Sequence, residues 1–474
     1  MYKKNSLLLV CIVLFQACGA YDPNTIIATI TDPNGPTAIT IAPNGLYACI
    51  CDGGTNIVSI LDIDPSSPHY NTITATITGF SNPANTAITP DSLRAYVCNA
   101  NSGNISLIDM NPSSGTYQTI IDQISILFSS PSAIVITPDG SRAYVADSSD
   151  SFNVYLIDTN PSSGTYNQAF LPSGLEGILY APFGIVISPD GNYVYVSNLN
   201  GPVTVIDSDP SSGTYNTQVS APSLSSVNTQ PEGLAITSNG DYIYVTDGAG
   251  SDVSVIDSNP LSPTVNTVLS TPNLASAFNY PNGVVSTSDG KYAYVTNYIG
   301  ATSTNSSISL IDTNPLSPTF NSTLVTPGLT VVNPPAGFTR FYALAITPND
   351  TYVYAIDGAN NVLDVIYTGL PPIATNTPVN FSGCMVKNVF LMQTDYINRL
   401  TWSAPTTGNK PAAYKIYRDA GLTQLITKIP ADGVLQYEDH NRNPNVEYSY
   451  YIITIDDAGG RSSAAKTTVT QSCA

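Results

Sequence analysis

Charged side chains are scarce in this chain of 474 residues, making up 10% of it. The scarcity is sharpest for bases. Residues 21–379 hold 26 acidic residues but only Arg94, Arg142, Lys291 and Arg340 as bases. So acidic a segment repels a phosphate backbone, and nucleic acid is not expected as a partner. Histidine occurs twice, at His69 and His440, in segments that read as different domains. A His-rich metal site or a Ser-His-Asp triad therefore has no support. No Gly-rich loop stands between a strand and a helix, so no nucleotide site is expected, and the reading includes no cofactor and no metal. The one long apolar run, Leu7 to Phe15, falls short of the roughly 20 residues that cross a bilayer. Helix signals are almost absent, which leaves an all-β chain.

What the chain has instead is repetition. One module recurs seven times, and most copies carry a short apolar run, a Pro/Ser-Asp/Asn-Gly turn, a Tyr-Val-x-Asn/Asp strand and an Ile-Asp strand. The turns begin at Pro43, Pro90, Pro138, Pro189, Ser238, Ser288 and Pro348. Units of this length cannot bury their apolar faces alone and must stack. The first strands, such as Ile134-Val135-Ile136, are apolar at successive positions and so are covered on both faces. Seven four-stranded units in a row predict a closed seven-bladed β-propeller over residues 21–370.

The seventh unit lacks an outer strand, because Leu370-Pro371-Pro372 interrupts it. Thr25-Ile26-Ile27-Ala28-Thr29-Ile30-Thr31 resembles the outer strand Thr72 to Thr78, so the N-terminal strand is expected to close the last blade and leave no open edge. The Asp residues at 62, 109, 158, 207, 257 and 312 recur on different blades and are thus spread around a ring, which favours local turn hydrogen bonds over metal binding. With Tyr294-Val295-Thr296-Asn297 in the sixth unit, the repeats resemble the YVTN-type β-propellers over about residues 25–370. Blade one departs with Cys49-Ile50 and blade seven with Tyr354-Ala355. Some related seven-bladed propellers are lactonases, which use polar and basic residues around the central channel.

A Pro-rich linker at 371–379 leads to residues 380–474, where alternating strands predict a β-sandwich. Trp402, Tyr414 to Tyr417, Tyr448 and Gly459 to Ser462 follow the order of a fibronectin type III domain, which this segment resembles. Such domains commonly serve as spacers or protein-binding modules. Cys384 and Cys473 bracket the domain, and a disulfide between them is expected after export. Cys49, Cys51 and Cys98 read as small buried residues.

Lys3-Lys4, the apolar run and the small residues Ala17 to Ala20 form an export signal. Phe15-Gln16-Ala17-Cys18 resembles a bacterial lipobox, which would lipidate Cys18 and remove 1–17. Ordinary cleavage after Ala20 is the alternative. The protein is accordingly expected to be exported, as an outer-membrane lipoprotein, in the periplasm or at the cell surface. Membrane contact would come only through that N-terminal lipid.

A ligand on a propeller binds at the channel mouth, where loops of all blades converge. Candidates there are Phe183, Glu232 and Tyr342, which differ between blades, and Asp147, Asp247 and Asp357, which end second strands. The competing reading for all six is loop capping. With no catalytic constellation in view, the expectation is a non-enzymatic, monomeric binding or scaffold protein of the envelope with a protein or small polar ligand. The alternative is a periplasmic lactonase-type hydrolase.

Overall fold

The computed structural model describes residues 24–469 other than 33, 126–127, 149–151, 225–229, 272–273, 275–277, 298–306, 325–340, 359, 370–378, 391–392, 405–410, 419–424, 432–434, 441, 445, 457–461 and 463. Among the described residues the single helix is a 3-10 turn at Ser173–Leu175, and everything else regular is strand.

Seven four-stranded antiparallel sheets follow one another along the propeller segment. Sheet one is typical: Ala38–Ile41, Tyr47–Asp52, Ile57–Asp62 and Thr72–Thr78, hydrogen-bonded in chain order. The first strands of successive sheets touch one another all the way round, and that of sheet seven (Phe341–Ile346) touches that of sheet one. They form the inner wall of the ring. The second strands are its core: the Tyr, Val and small residues of Arg94–Asn99, Tyr193–Asn198 and Tyr242–Asp247 are buried. Covering them on both faces explains their continuous apolar runs, whereas the first strands, expected to be covered on both faces, are only partly buried, as at Pro182–Ile187 and Pro281–Ser286, because they line the inner wall.

The seventh sheet orders as Thr25–Thr31, Val362–Tyr367, Tyr352–Asp357, Phe341–Ile346. Thr25 pairs with Tyr367 and Thr31 with Val362, so the N-terminal strand supplies the outer strand that the seventh repeat lacks. No sheet edge is left open between first and last blades.

Two further contacts join the blades. The tight turns use Gly in the left-handed region, where a side chain is strained. Gly140 (φ +72°) is one, and it lies against Pro90 of the preceding blade, which a Cβ would meet at 3.4 Å. On the outside, the tyrosine of each second strand donates to an asparagine in the outer hairpin of the next blade. The pairs are Tyr96 to Asn167, Tyr144 to Asn216, Tyr195 to Asn266, Tyr244 to Asn321 and Tyr354 to Asn71. Each acceptor Asn has φ between 57° and 59° or, at Asn321, 54°, a conformation that Asn tolerates better than other side chains do. Blade one has Cys49 where the tyrosine would be, and the matching hairpin of blade two has Gln118 (φ 58°) in place of Asn. Donor and acceptor are replaced together.

The repeated Asp of the third strand closes its own turn. Asp158 accepts from Ser163 Oγ at 2.5 Å, Thr165 Oγ1 at 2.6 Å and Asn160 N at 3.0 Å. Burial pushes its carboxyl up, but the Ser163 and Thr165 hydrogen bonds outweigh that and hold it below the usual range. Cys49, Cys51 and Cys98 are buried free thiols, with pKa values pushed up by burial.

Residues 379–469 form a three-stranded and a four-stranded antiparallel sheet. Met385, Leu400 and Trp402 of one share a core with Tyr414, Ile416, Tyr450 and Ile452 of the other. Cys384 is disulfide-bonded, while Cys473, its expected partner, lies outside the described residues, as does Cys18.

Candidate functional site

Five of the first strands begin with a buried proline paired to the last residue of the second strand: Pro83 with Asn99, Pro131 with Asp147, Pro182 with Asn198, Pro231 with Asp247 and Pro281 with Asn297. The register slips immediately after each of these prolines. The first residues on the resulting bulges are Ala84, Ser132, Phe183, Glu232 and Asn282, followed in the last three by Gly184, Gly233 and Gly283. Bulges re-aim side chains and recur beside active sites. Proline suits the position because it has no N–H to leave unpaired there.

These bulge residues sit at one end of the inner wall, and around the ring they are unequal. Ala84 and Ser132 are small, whereas Phe183, Glu232 and Asn282 carry an aromatic ring, an acid and an amide on successive blades. Phe183 is 43% exposed, so its ring is available to a ligand. Asn282 Nδ2 donates to Glu232 Oε2 across the blade boundary. Glu232 Oε1 reaches over Gly248, where a Cβ would meet it at 2.7 Å. A side chain at 248 would therefore displace the carboxylate. Tyr342 follows Phe341, which pairs with Asp357. Its backbone thus occupies the corresponding place on blade seven.

The carboxyl of Glu232 is pushed up to about 7, first by burial, against the lowering hydrogen bond from Asn282, and then further by the charge of Asp247. Asp252, paired in register with Asp247, is pushed up to about 6 by burial and by Asp247. Its Oδ1 is buried without a hydrogen-bond partner. Nothing in the repeat singled out Asp252; only the hairpin brings it beside Asp247.

Asp147, Asp247 and Asp357 are themselves buried. Asp147 accepts from Ser129 N at 2.7 Å and Ser130 N at 3.0 Å, and Asp247 from Gln230 N at 2.8 Å and Gly250 N at 2.9 Å. Asp357 accepts from Asn360 Nδ2 at 2.7 Å. These carboxylates clamp loops at the channel end, with Asp247 also setting the field on Glu232. Of the six sequence candidates, Phe183 and Glu232 occupy neighbouring bulges; the Tyr342 side chain lies outside the described residues.

Two hydroxyls at the second-strand position that Cys51 and Cys98 hold in blades one and two support the site. Gly184 N donates to Ser197 Oγ at 2.8 Å, and Ser197 Oγ donates to the Glu232 carbonyl at 2.5 Å. Gly233 N and Thr246 Oγ1 repeat the relay to the Asn282 carbonyl, at 2.8 and 2.5 Å. Blades four and five thereby each position the bulge of the next. The described bases of the propeller lie elsewhere: Arg94 stacks on Tyr166, Arg142 on Tyr215, and Lys291 pairs with Asp289 at 3.7 Å. Among the described residues no group of three or more His, Cys, Asp or Glu converges as a metal site.

Comparison with known proteins gives the same architecture. Hydrazine synthase of Kuenenia stuttgartiensis is similar, with a TM-score of 0.53 and 22% identity over 72% of this chain and 98% of that one. The β-propeller domain of Myceliophteria thermophila Cps50 (Swd1) is similar, with a TM-score of 0.53 and 12% identity over 73% of this chain and 99% of that one. At these identities the likeness concerns the fold. No curated protein sequence matches. The family model described as "Lactonase, 7-bladed beta-propeller" matches residues 19–127 and 129–278, more than half of the chain.

The family match corrects the expectation of a non-enzymatic scaffold and favours the hydrolase alternative. That expectation rested on residues shared by all blades, which turn and packing chemistry absorbs. A site on a ring fold is built where the blades differ, as at Glu232. By the extent of that match, the chain belongs to the seven-bladed β-propeller lactonase family.

Proposed function

We propose that this protein hydrolyses a lactone, with Glu232 as the general base. The observation that carries the reading is the Glu232 carboxyl on its bulge, held by Asn282 and raised to about 7. A base whose pKa lies near neutral pH combines a useful fraction of the ionised form with a strong pull on a proton. In the proposed reaction Glu232 takes a proton from water as the water oxygen bonds to the lactone carbonyl carbon. The tetrahedral adduct collapses with cleavage of the ring C–O bond, and the proton on Glu232 passes to the departing alkoxide. The product is the open hydroxy acid. Asn282 is a positioning residue that fixes the carboxylate, and Phe183 offers an apolar face to the substrate.

The test is hydrolysis of a panel of five- and six-membered lactones by the purified full chain, followed by proton release. Glu232→Gln should lower turnover about 10²–10⁴-fold, the usual worth of a general base. Unchanged turnover in that variant would overturn the assignment.

Two finer readings accompany this one. The YVTN-like repeats and the fibronectin type III-like order of Trp402, Tyr414 and Tyr448 support a catalytic propeller carried beside a spacer domain. Lys3-Lys4, the apolar run and Cys18 support work outside the cytoplasm, tested by palmitate-analogue labelling against Cys18→Ala.

A further inference from the structure

Among the described residues, the loop clamp of blade one departs from a pattern that four other blades share. Ser81 N donates to Asn99, Ser129 N to Asp147, Tyr180 N to Asn198 and Asn279 N to Asn297. In each pair the donor stands eighteen residues before the acceptor. The residue eighteen before Asp52 in blade one is Asn34. Its N–H and its Nδ2 both turn instead to Asp32 Oδ1, at 3.2 and 3.0 Å. Asp52 keeps the Ser59 hydroxyl, at 3.1 Å on Oδ2. Asp52 Oδ1 and Asp32 Oδ2 are left buried with no hydrogen-bond partner, and both residues are 0% exposed.

Asp32 has no acidic counterpart in the blades where the same position is described: it is Gly79 in blade two and Ile178 in blade four. It directly follows the closing strand Thr25–Thr31, and its N–H binds the Asn361 carbonyl of blade seven at 2.9 Å. Two carboxylates from the two sides of the ring seam are thus buried within each other's field. Burial first, then Asp32, pushes the Asp52 carboxyl up to about 7, while the Ser59 hydrogen bond opposes this. Buried like charges need a counter-charge, and no described Lys or Arg is paired with either.

We propose that Asp32 and Asp52 hold a hard, oxygen-liganded cation of the calcium class at the seam between blades one and seven. The two unpartnered oxygens are anionic ligands, and the Ser59 hydroxyl and neighbouring carbonyls are of the type that completes such a shell. The cation would staple the closing strand to the first blade, independently of the chemistry at Glu232.

The test uses the purified full chain, dialysed against chelator at pH 8 and constant ionic strength. Calcium, magnesium and sodium chlorides are then added against choline chloride. At saturation one of them should raise the Tm by roughly 3–6 °C, and calorimetry should find one such site per chain. Asp52→Asn, which installs the residue that blades two, four and six carry at this place, should fold and lose both responses. Asp32→Asn should do the same. Absence of a response to all three cations, with stability that changes only with pH, would mean that the pair shares a proton and would overturn the proposal. A response kept in both variants would overturn it equally.

Discussion

Tyr294 Oη donates to Asn24 Oδ1 at 2.7 Å, a hydrogen bond spanning 270 positions of the chain. It is the sixth member of the set that runs from each second-strand tyrosine to the next blade's outer hairpin. Here the acceptor comes from the N-terminal segment, just ahead of Thr25–Thr31. Asn24 (φ 57°) has the backbone of Asn71 and Asn167. The seam is therefore built to the same pattern as the other blade boundaries.

Tyr294→Phe should cost about 1 kcal/mol, the typical net worth of a hydrogen bond, because it removes the donor to a half-buried acceptor while keeping the ring. Tyr354→Phe, which loses the bond to Asn71, should cost a similar amount. Deleting residues 24–31 should do far more and abolish the cooperative urea transition, since it removes an entire strand and buried Ile30. A transition unchanged by the deletion would contradict closure by this strand.

The pH dependence of catalysis should follow Glu232. As a base it acts ionised, so kcat/KM should fall tenfold per pH unit below about 7 and level off above it. Asp247→Asn should move that midpoint down, because the Asp247 charge raises the Glu232 pKa. The variant should keep its fold, since Asn99, Asn198 and Asn297 do the clamp's work in other blades. Asn282→Ala should move the midpoint up, because its hydrogen bond lowers the pKa.

The relay residues should separate positioning from stability. Ser197→Ala removes the hydroxyl that holds the Glu232 carbonyl, and alanine already stands at the matching Ala146. Stability should change by about 1 kcal/mol, whereas kcat should drop more than KM rises. Gly233→Ala should be harsher, costing about 1–3 kcal/mol by overpacking. Its Cβ would come within 2.4 Å of the Asn282 carbonyl.

Stability in chelator should decline as pH rises from about 4 to about 7. Asp52, Asp252 and Asp350 start from 3.8 and are pushed up to about 7, 6 and 6, in each case chiefly by burial. A folded state that binds protons more tightly than the unfolded one is favoured below the unfolded pKa and loses that advantage as pH climbs through the folded pKa. Asp109, Asp139 and Asp158, held low by their hydrogen bonds, impose the opposite loss in more acidic solution. Thermal unfolding from pH 3 to 8 should therefore show a maximum, and Asp52→Asn should flatten its alkaline side.

The repeat made the scaffold legible. Its period, the unbroken apolar first strands and the likeness of residues 25–31 to an outer strand determined the ring, its blade number and its closure. These are consequences of local pattern, and stacking a fixed module leaves little freedom. The positions where blades differ could also be read, which brought out Phe183 and Glu232. What the sequence could not supply was the state of those groups. Only the tertiary structure sets Asn282 and Asp247 around Glu232, places Asp252 beside Asp247, and turns Asn34 away from Asp52 toward Asp32. Burial and proximity fix a carboxyl's affinity for a proton or a cation, and both arise from residues that are distant in the chain or hidden in the turn.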